Sequence, residues 1–317
     1  MSAEKPKGRV LLSMTGMHPK RWYEILAEER EVVLEPTGPE DPSIDYAVVW
    51  YQPHGILKRL PNLKAIFSVG AGVDHILADP DLPDVPIVRV VADNLTQYMV
   101  EYVSWRVLDH HRQGMAYRAQ QRDKVWYEPP QPPADAVSVG LMGLGALGRA
   151  AAEALLALGF RVNGWRRREE RMEGVTTFHG DEGLTPFLAA TDILVVLLPL
   201  TTATRGIVDY ALLSKLRRDG PLGGPCLINA GRGALHREAD ILRALEDGVL
   251  KEASLDVFER EPLDPASPLW SHPRVFVTPH AAATSDPTQL VPLMVAQMSA
   301  FEKGEPLRNL VDRKAGY

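Results

Sequence analysis

The 317-residue chain has little of what marks several protein classes. It holds one cysteine, Cys226, so no internal disulfide can form, and a reducing cytoplasm is the expected setting. No apolar run reaches the roughly 20 residues that cross a bilayer. The longest, ILVVLLPL at residues 193–200, is interrupted by Pro199. Positive charge is in the minority: 35 Lys and Arg against 41 Asp and Glu leave a net charge of -6, which excludes a polyanion-binding surface spread over the molecule. Low-complexity tracts and short-period repeats are missing too. The polar opening MSAEKPKGRV, with a short apolar stretch at residues 10–12, is not expected to direct secretion. His110 and His111 look like a metal hint, but helical neighbours point apart and the sequence offers no evident third ligand, so no metal is expected.

What the chain does have is an alternation. The runs RVLLSM, EVVLEP, DYAVVW, LKAIFSVG and PIVRVV, with the amphipathic KRWYEILAEER, predict the βαβ rhythm of a parallel sheet. Residues 94–124 carry Met99, Val103 and Val107 at helical spacing without a proline and predict one long helical stretch. Pro129, Pro130, Pro132 and Pro133 then mark a loop. The alternation restarts with AVSVGLM, FRVNGW, DILVVLLP, PCLINA, EASLDVF and RVFVTP, separated by helices such as ALGRAAAEALLAL and READILRALEDG. The fold class is therefore α/β, with two doubly wound parallel-sheet domains. A last helix near residues 286–303 is expected to cross back to the first.

Gly143, Gly145 and Gly148 form G-x-G-x-x-G between an apolar strand and an alanine-rich helix, the context of a dinucleotide site. The first glycine permits the tight turn, the second lets backbone approach a pyrophosphate, and the third lets the helix pack close, with free N–H groups facing the anion. Some 20 residues on, an Asp or Glu would accept from an adenosine ribose hydroxyl. Here Arg166, Arg167 and Arg168 follow Trp165 instead. Guanidinium groups suit a 2′-phosphate, so the run reads as a selector for NADP(H) over NAD(H). The other reading is a solvated cluster in which Glu169, Glu170 and Glu173 pair with the arginines. Trp165 is placed either against the cofactor or in packing.

Three polar residues lie at or just after strand ends: Arg232 in CLINAGRGAL, Glu261 in SLDVFEREPL and His280 in VFVTPHAAAT. Ligands of open parallel sheets bind outside the carboxyl ends of strands, so these could meet at a nicotinamide. In SVGAGVD, Gly70, Ala71 and Gly72 follow another apolar strand, and their backbone N–H groups make a cradle for a carboxylate.

FSVGAGVDHI, GLMGLGALG, VVLLPLTTATRGIV, INAGRGAL, SLDVFEREPL and TPHAAA, in this order, resemble the D-2-hydroxyacid dehydrogenase family over nearly the whole chain. DYAVVW and the terminal VDRKAGY are most similar to its glyoxylate/hydroxypyruvate reductase A group. The resemblance implies a Rossmann NADP-binding domain at residues 101–284 inserted in a flavodoxin-like substrate domain at residues 1–100 and 285–317. It implies that Arg232 holds and polarises a small 2-oxo acid, that His280 is the general acid, and that Glu261 pairs with His280 and favours its protonated ring. Ala146 and Leu147 of the glycine loop, Leu198, Pro199, Ala230, Gly231, Asp256, His280 and Ala282 would line the cofactor, and Trp50 would limit the substrate pocket. A homodimer with the stretch after Asn94 as its contact is also implied. Two departures stand out. Gly231 replaces the usual alanine or serine and should loosen its loop, and Tyr51 and Gln52 put fine substrate choice in doubt. A formate-type dehydrogenase remains an alternative, although it would call for glutamine at Glu261. A nucleotide-sensing corepressor-like interaction protein is another.

Overall fold

The computed structural model describes residues 7–317, so the first six residues of the polar opening lie outside the described residues. The chain divides into two compact units, one formed by the chain up to Leu95 with Ser285–Tyr317, the other by Thr96–Thr284.

The first unit opens with β1 (Arg9–Met14), α1 (Lys20–Ala27), β2 (Val32–Val33), β3 (Ile44–Trp50), β4 (Ala65–Ser68), α2 (Asp74–Leu77) and β5 (Ile87–Val88). The strands pair in parallel in the order β2-β1-β3-β4-β5, the flavodoxin-like arrangement. Their central residues, Val10, Leu11, Ala47, Val48, Ile66 and Phe67, are buried because a parallel sheet is covered on both faces.

The boundary between units falls inside α3 (Asp93–His111), which is followed by α4 (Gly114–Asp123). The single helical stretch expected over residues 94–124 is thus two helices. Gln113 breaks it by adopting left-handed backbone, φ 58°. Asp109 holds the corner, accepting from Arg106 Nη2 at 2.9 Å on one side and from both terminal nitrogens of Arg118, at 2.9 and 2.8 Å, on the other. Apolar spacing carries no record of such a polar corner.

The second unit continues with β6 (Ser138–Met142), α5 (Ala146–Ala157), β7 (Arg161–Arg166), β8 (Val175–His179), α6 (Gly180–Ala189), β9 (Ile193–Val196), α7 (Tyr210–Leu213), β10 (Cys226–Asn229), α8 (Glu238–Glu246), β11 (Glu252–Leu255) and β12 (Val275–Val277). All pairings are parallel, in the order β12-β11-β10-β9-β6-β7-β8. Counted from β6 this is the Rossmann order, and the chain reverses direction across the sheet between β6 and β9. β8 had no clear sequence signal, because it is an edge strand with a half-exposed, polar pattern. The last helix, α9 (Pro287–Glu302), belongs to the first unit and packs on α1. There the buried Arg30 donates to Glu302 Oε1 at 2.5 Å and to Ser299 Oγ at 2.7 Å. No helix among the described residues is long and apolar enough to cross a membrane.

Candidate active site

The glycine loop leaves β6 at the point where the sheet reverses, where such folds bind nucleotides. Gly143 has φ +117°, closed to ordinary side chains, and a Cβ at Gly148 would lie 2.0 Å from the Gly143 carbonyl oxygen. A Cβ at Gly145 would meet nothing within 4 Å. Gly145 and Ala146 are exposed at the start of α5 and Leu147 is half-buried, so the first-turn amides of a twelve-residue helix are presented at the surface. These residues fit a bound pyrophosphate. Leu198, Ala230 and Ala282 are buried and Pro199 is half-buried, beside the ends of β9, β10 and β12.

At the end of β7, Arg166 is half-buried, whereas Arg167 and Arg168 are exposed. Glu170 bridges Arg166 and Arg149: one carboxylate oxygen accepts from Arg149 and the other is ion-paired with Arg166. The pairing with glutamate weighed from sequence is therefore present for Arg166. Both guanidinium groups lie beside the same carboxylate, so positive charge is concentrated at this end of β7. Of the two placements open to Trp165, the structure shows packing. It is buried in the core of the second unit, and its indole N–H donates to the Gly180 carbonyl at 2.9 Å, so it packs rather than facing a ligand.

The structure brings Glu261 and His280 together. His280 Nδ1 lies 2.7 Å from Glu261 Oε2, and the other carboxylate oxygen accepts from the Phe258 N–H at 3.0 Å. Burial raises the Glu261 pKa, but the hydrogen bond and charge of His280, the Phe258 amide and the Arg232 charge outweigh it, and the net shift is downward. Glu261 is thus a carboxylate, and Nδ1 of His280 is the donor to it. About a third of each side chain remains exposed (31% and 34%), so both can be reached.

The His280 backbone is strained, with φ +52°, and Asp256 holds it. The Asp256 carbonyl accepts from the His280 N–H at 2.7 Å. Its fully buried carboxylate accepts from the Ala281 and Ala282 amides at 2.8 and 3.0 Å and from the Thr278 hydroxyl at 2.6 Å. Because Thr278 donates to Asp256, Tyr102 on α3 donates to Thr278, at 2.8 Å. Asp256, expected beside the nicotinamide, holds the loop that carries His280.

Arg232 is fixed by its own loop. Asn229 at the end of β10 donates to the Arg232 carbonyl at 3.1 Å and accepts from the Gly231 N–H at 3.0 Å, while its amide nitrogen lies 2.7 Å from Nδ1 of the buried His236. The Arg232 side chain donates back to the Gly231 carbonyl at 2.9 Å. Gly231 does not loosen the loop as expected. A Cβ there would sit 3.0 Å from Leu235 and 3.1 Å from the Leu198 oxygen, a crowded spot that glycine fills without strain. Gly233 lets the Arg232 loop and the Phe258–Glu261 segment touch, since its Cβ would lie 1.7 Å from the Phe258 oxygen.

In the first unit, Trp50 ends β3 and packs on Gly70, where a Cβ would come within 2.3 Å of the indole. Its ring also lies 4.7 Å from His75 and 5.1 Å from Tyr51. The three-amide cradle is only partly available. Gly70 is buried and its N–H donates to Ser68 Oγ at 3.3 Å, which leaves the half-buried Ala71 and Gly72.

The adjacent histidines do gain neighbours that sequence did not offer. His110, Cys226 and Glu252, all buried, place ligand atoms within 4.8 Å of one another. Yet Nδ1 of His110 is engaged with Glu252 at 2.7 Å and Nε2 with Ser254 at 2.8 Å, so an ion would have to break one of these bonds. Burial keeps the ring neutral and pushes the Cys226 thiol up, so the cluster reads as a clamp of α3 onto β11.

Residues 105–282 match the family model for the D-isomer specific 2-hydroxyacid dehydrogenase, NAD binding domain. The chain belongs to the D-isomer specific 2-hydroxyacid dehydrogenase family. Within that family it is 40% identical over 305 residues to glyoxylate/hydroxypyruvate reductase A of Escherichia fergusonii, covering 93% of this chain and 96% of that one. It is also similar to the crystal structure of the NADPH-dependent glyoxylate/hydroxypyruvate reductase of Sinorhizobium meliloti in complex with NADP and sulfate, at 48% identity and a TM-score of 0.92 over 98% of this chain and 100% of that one. A third relative is the D-isomer specific 2-hydroxyacid dehydrogenase of Xanthobacter autotrophicus Py2, solved with NADPH and MES, at 40% identity and a TM-score of 0.91 over the same shares. The supporting residues Asn229, His236, Thr278 and Tyr102 carry no chemical signal of their own in sequence, although Asn229 and Thr278 lie inside the matched motifs.

Proposed function

We propose that the chain is an NADPH-dependent reductase of small 2-oxo acids, glyoxylate and hydroxypyruvate among them, giving 2-hydroxy acids. The observation that carries this reading is the His280–Glu261 pair, 2.7 Å apart and within the electrostatic reach of Arg232, beyond the carboxyl ends of β10, β11 and β12. The names and ligands of the relatives support the substrate class and the cofactor.

When bound, the reduced nicotinamide supplies the hydride. Arg232 binds the substrate carboxylate and draws electron density toward the carbonyl oxygen with fixed, permanently charged donors. His280 gives its Nε2 proton to that oxygen, and Glu261 keeps the ring in the required orientation and stabilises its charged form. Trp50, with the amides of Ala71 and Gly72, is assigned to substrate selection, and Gly143, Gly145, Ala146, Leu147 and Gly148 to the pyrophosphate. A formate-type oxidation needs no proton donor and so no carboxylate at position 261.

The chain is assigned to the cytoplasm as a homodimer. Trp105, Tyr117, Val125, Trp126 and Tyr127 are exposed along α3, α4 and the segment after them, an apolar cost that a second copy would remove. NADPH consumption with glyoxylate, hydroxypyruvate and pyruvate tests the activity, and sedimentation tests the dimer. Turnover of none of these acids would favour a nucleotide-sensing interaction protein.

A further inference from the structure

We propose that Arg149 is a second ligand for the cofactor's 2′-phosphate, and that Glu170 occupies the phosphate's place until NADPH displaces it. This rests on the NADPH reading above and extends it to two residues outside the arginine run.

Arg149 stands in the first turn of α5 and Arg166 at the last position of β7, the two elements that flank the expected adenosine ribose. Arg149 donates to one oxygen of the Glu170 carboxylate and Arg166 forms an ion pair with the other, so the two guanidinium groups converge as a clamp on one planar anion. Glu170 itself lies on irregular backbone between β7 and β8 and is 43% exposed at its side chain, against 34% for Arg149 and 27% for Arg166. Water therefore reaches the pair, and the carboxylate can swing away without unfolding an element.

Charge decides which anion holds the clamp. A phosphate monoester brings about -1.5 to -2 and three acceptor oxygens, more than the single charge of a carboxylate. A ribose hydroxyl brings no charge, so NADH leaves the Glu170 pairs in place and gains nothing from either arginine. Selectivity then comes from an exchange of anions, and Arg149 supports the phosphate as much as Arg166 does.

The test is titration of the full-length protein with 2′,5′-ADP and with 5′-AMP, followed by calorimetry, which needs no turnover. Wild type should bind 2′,5′-ADP more tightly than 5′-AMP. Arg149→Met should weaken 2′,5′-ADP about tenfold or more, the loss of one charge-assisted bond, and leave 5′-AMP within about twofold. Glu170→Gln should tighten 2′,5′-ADP about threefold or more and leave 5′-AMP unchanged. If wild type does not distinguish the two nucleotides, the NADPH reading fails and this inference with it. Where wild type distinguishes them but Arg149→Met does not weaken 2′,5′-ADP, or Glu170→Gln weakens it or leaves it unchanged, only the proposal made here is overturned.

Discussion

At the His280 end of the seven-stranded sheet each polar group is committed: Asp256 to three donors, Glu261 to His280 and the Phe258 amide, Asn229 to the Arg232 loop. At the Arg166 end the contrast is plain, with two exposed arginines and a third paired to Glu170 on irregular backbone. The two ends face different physical demands. Proton transfer falls off steeply with misplacement, so its donor must be held in place by several committed bonds. Selection of a charged group works through long-range attraction, tolerates motion, and benefits from side chains that can adapt.

The comparison can be broken or sharpened from its largest effect downward. His280→Ala should lower kcat about a thousandfold, the weight of a general acid, while NADPH affinity measured by fluorescence titration stays within about threefold. His236, on the committed side, should make stability depend on pH. Burial pushes its pKa down from 6.5 to about 4, so the unfolded chain takes up a proton first as pH falls. The stability is complete above pH 6.5 and is lost as pH falls toward 4, by about 3 kcal/mol. Urea unfolding at pH 7 and pH 4 should show that loss in wild type and a smaller one in His236→Gln. Arg166→Ala should weaken NADPH roughly thirtyfold with kcat at saturating cofactor nearly kept, as befits a binding group remote from the chemistry. Tyr102→Phe removes only the outermost bond to Thr278 and should cost about fivefold in kcat, with NADPH affinity unchanged. An equal loss in both parameters would mean that Tyr102 holds the fold of the unit rather than the His280 loop.

These differences also explain what could be read from sequence. The strands, the glycine loop and the candidate residues Arg232, Glu261 and His280 announce themselves through apolar runs and motif order, because burial and backbone geometry restrict residue type at those places. The helix break at Gln113 left no such mark, since it depends on a left-handed residue and on Asp109 reaching Arg118 nine positions away. Trp165 was ambiguous because an aromatic at a strand end can face either way, and only the position of the Gly180 carbonyl decides. Asp256 is legible as a motif residue, but its three donors come from a segment more than twenty positions on, which no local pattern connects. Likewise Cys226 and Glu252 reach His110 only through the register of β10 and β11.

The most direct test of the central claim is a crystal structure with NADP and an unreactive 2-oxo acid analogue such as oxamate. The account predicts the Arg232 guanidinium on the carboxylate and Nε2 of His280 about 2.6–3.2 Å from the carbonyl oxygen. An analogue bound beside the nicotinamide with that oxygen turned away from His280, or with its carboxylate held by groups other than Arg232, would contradict it.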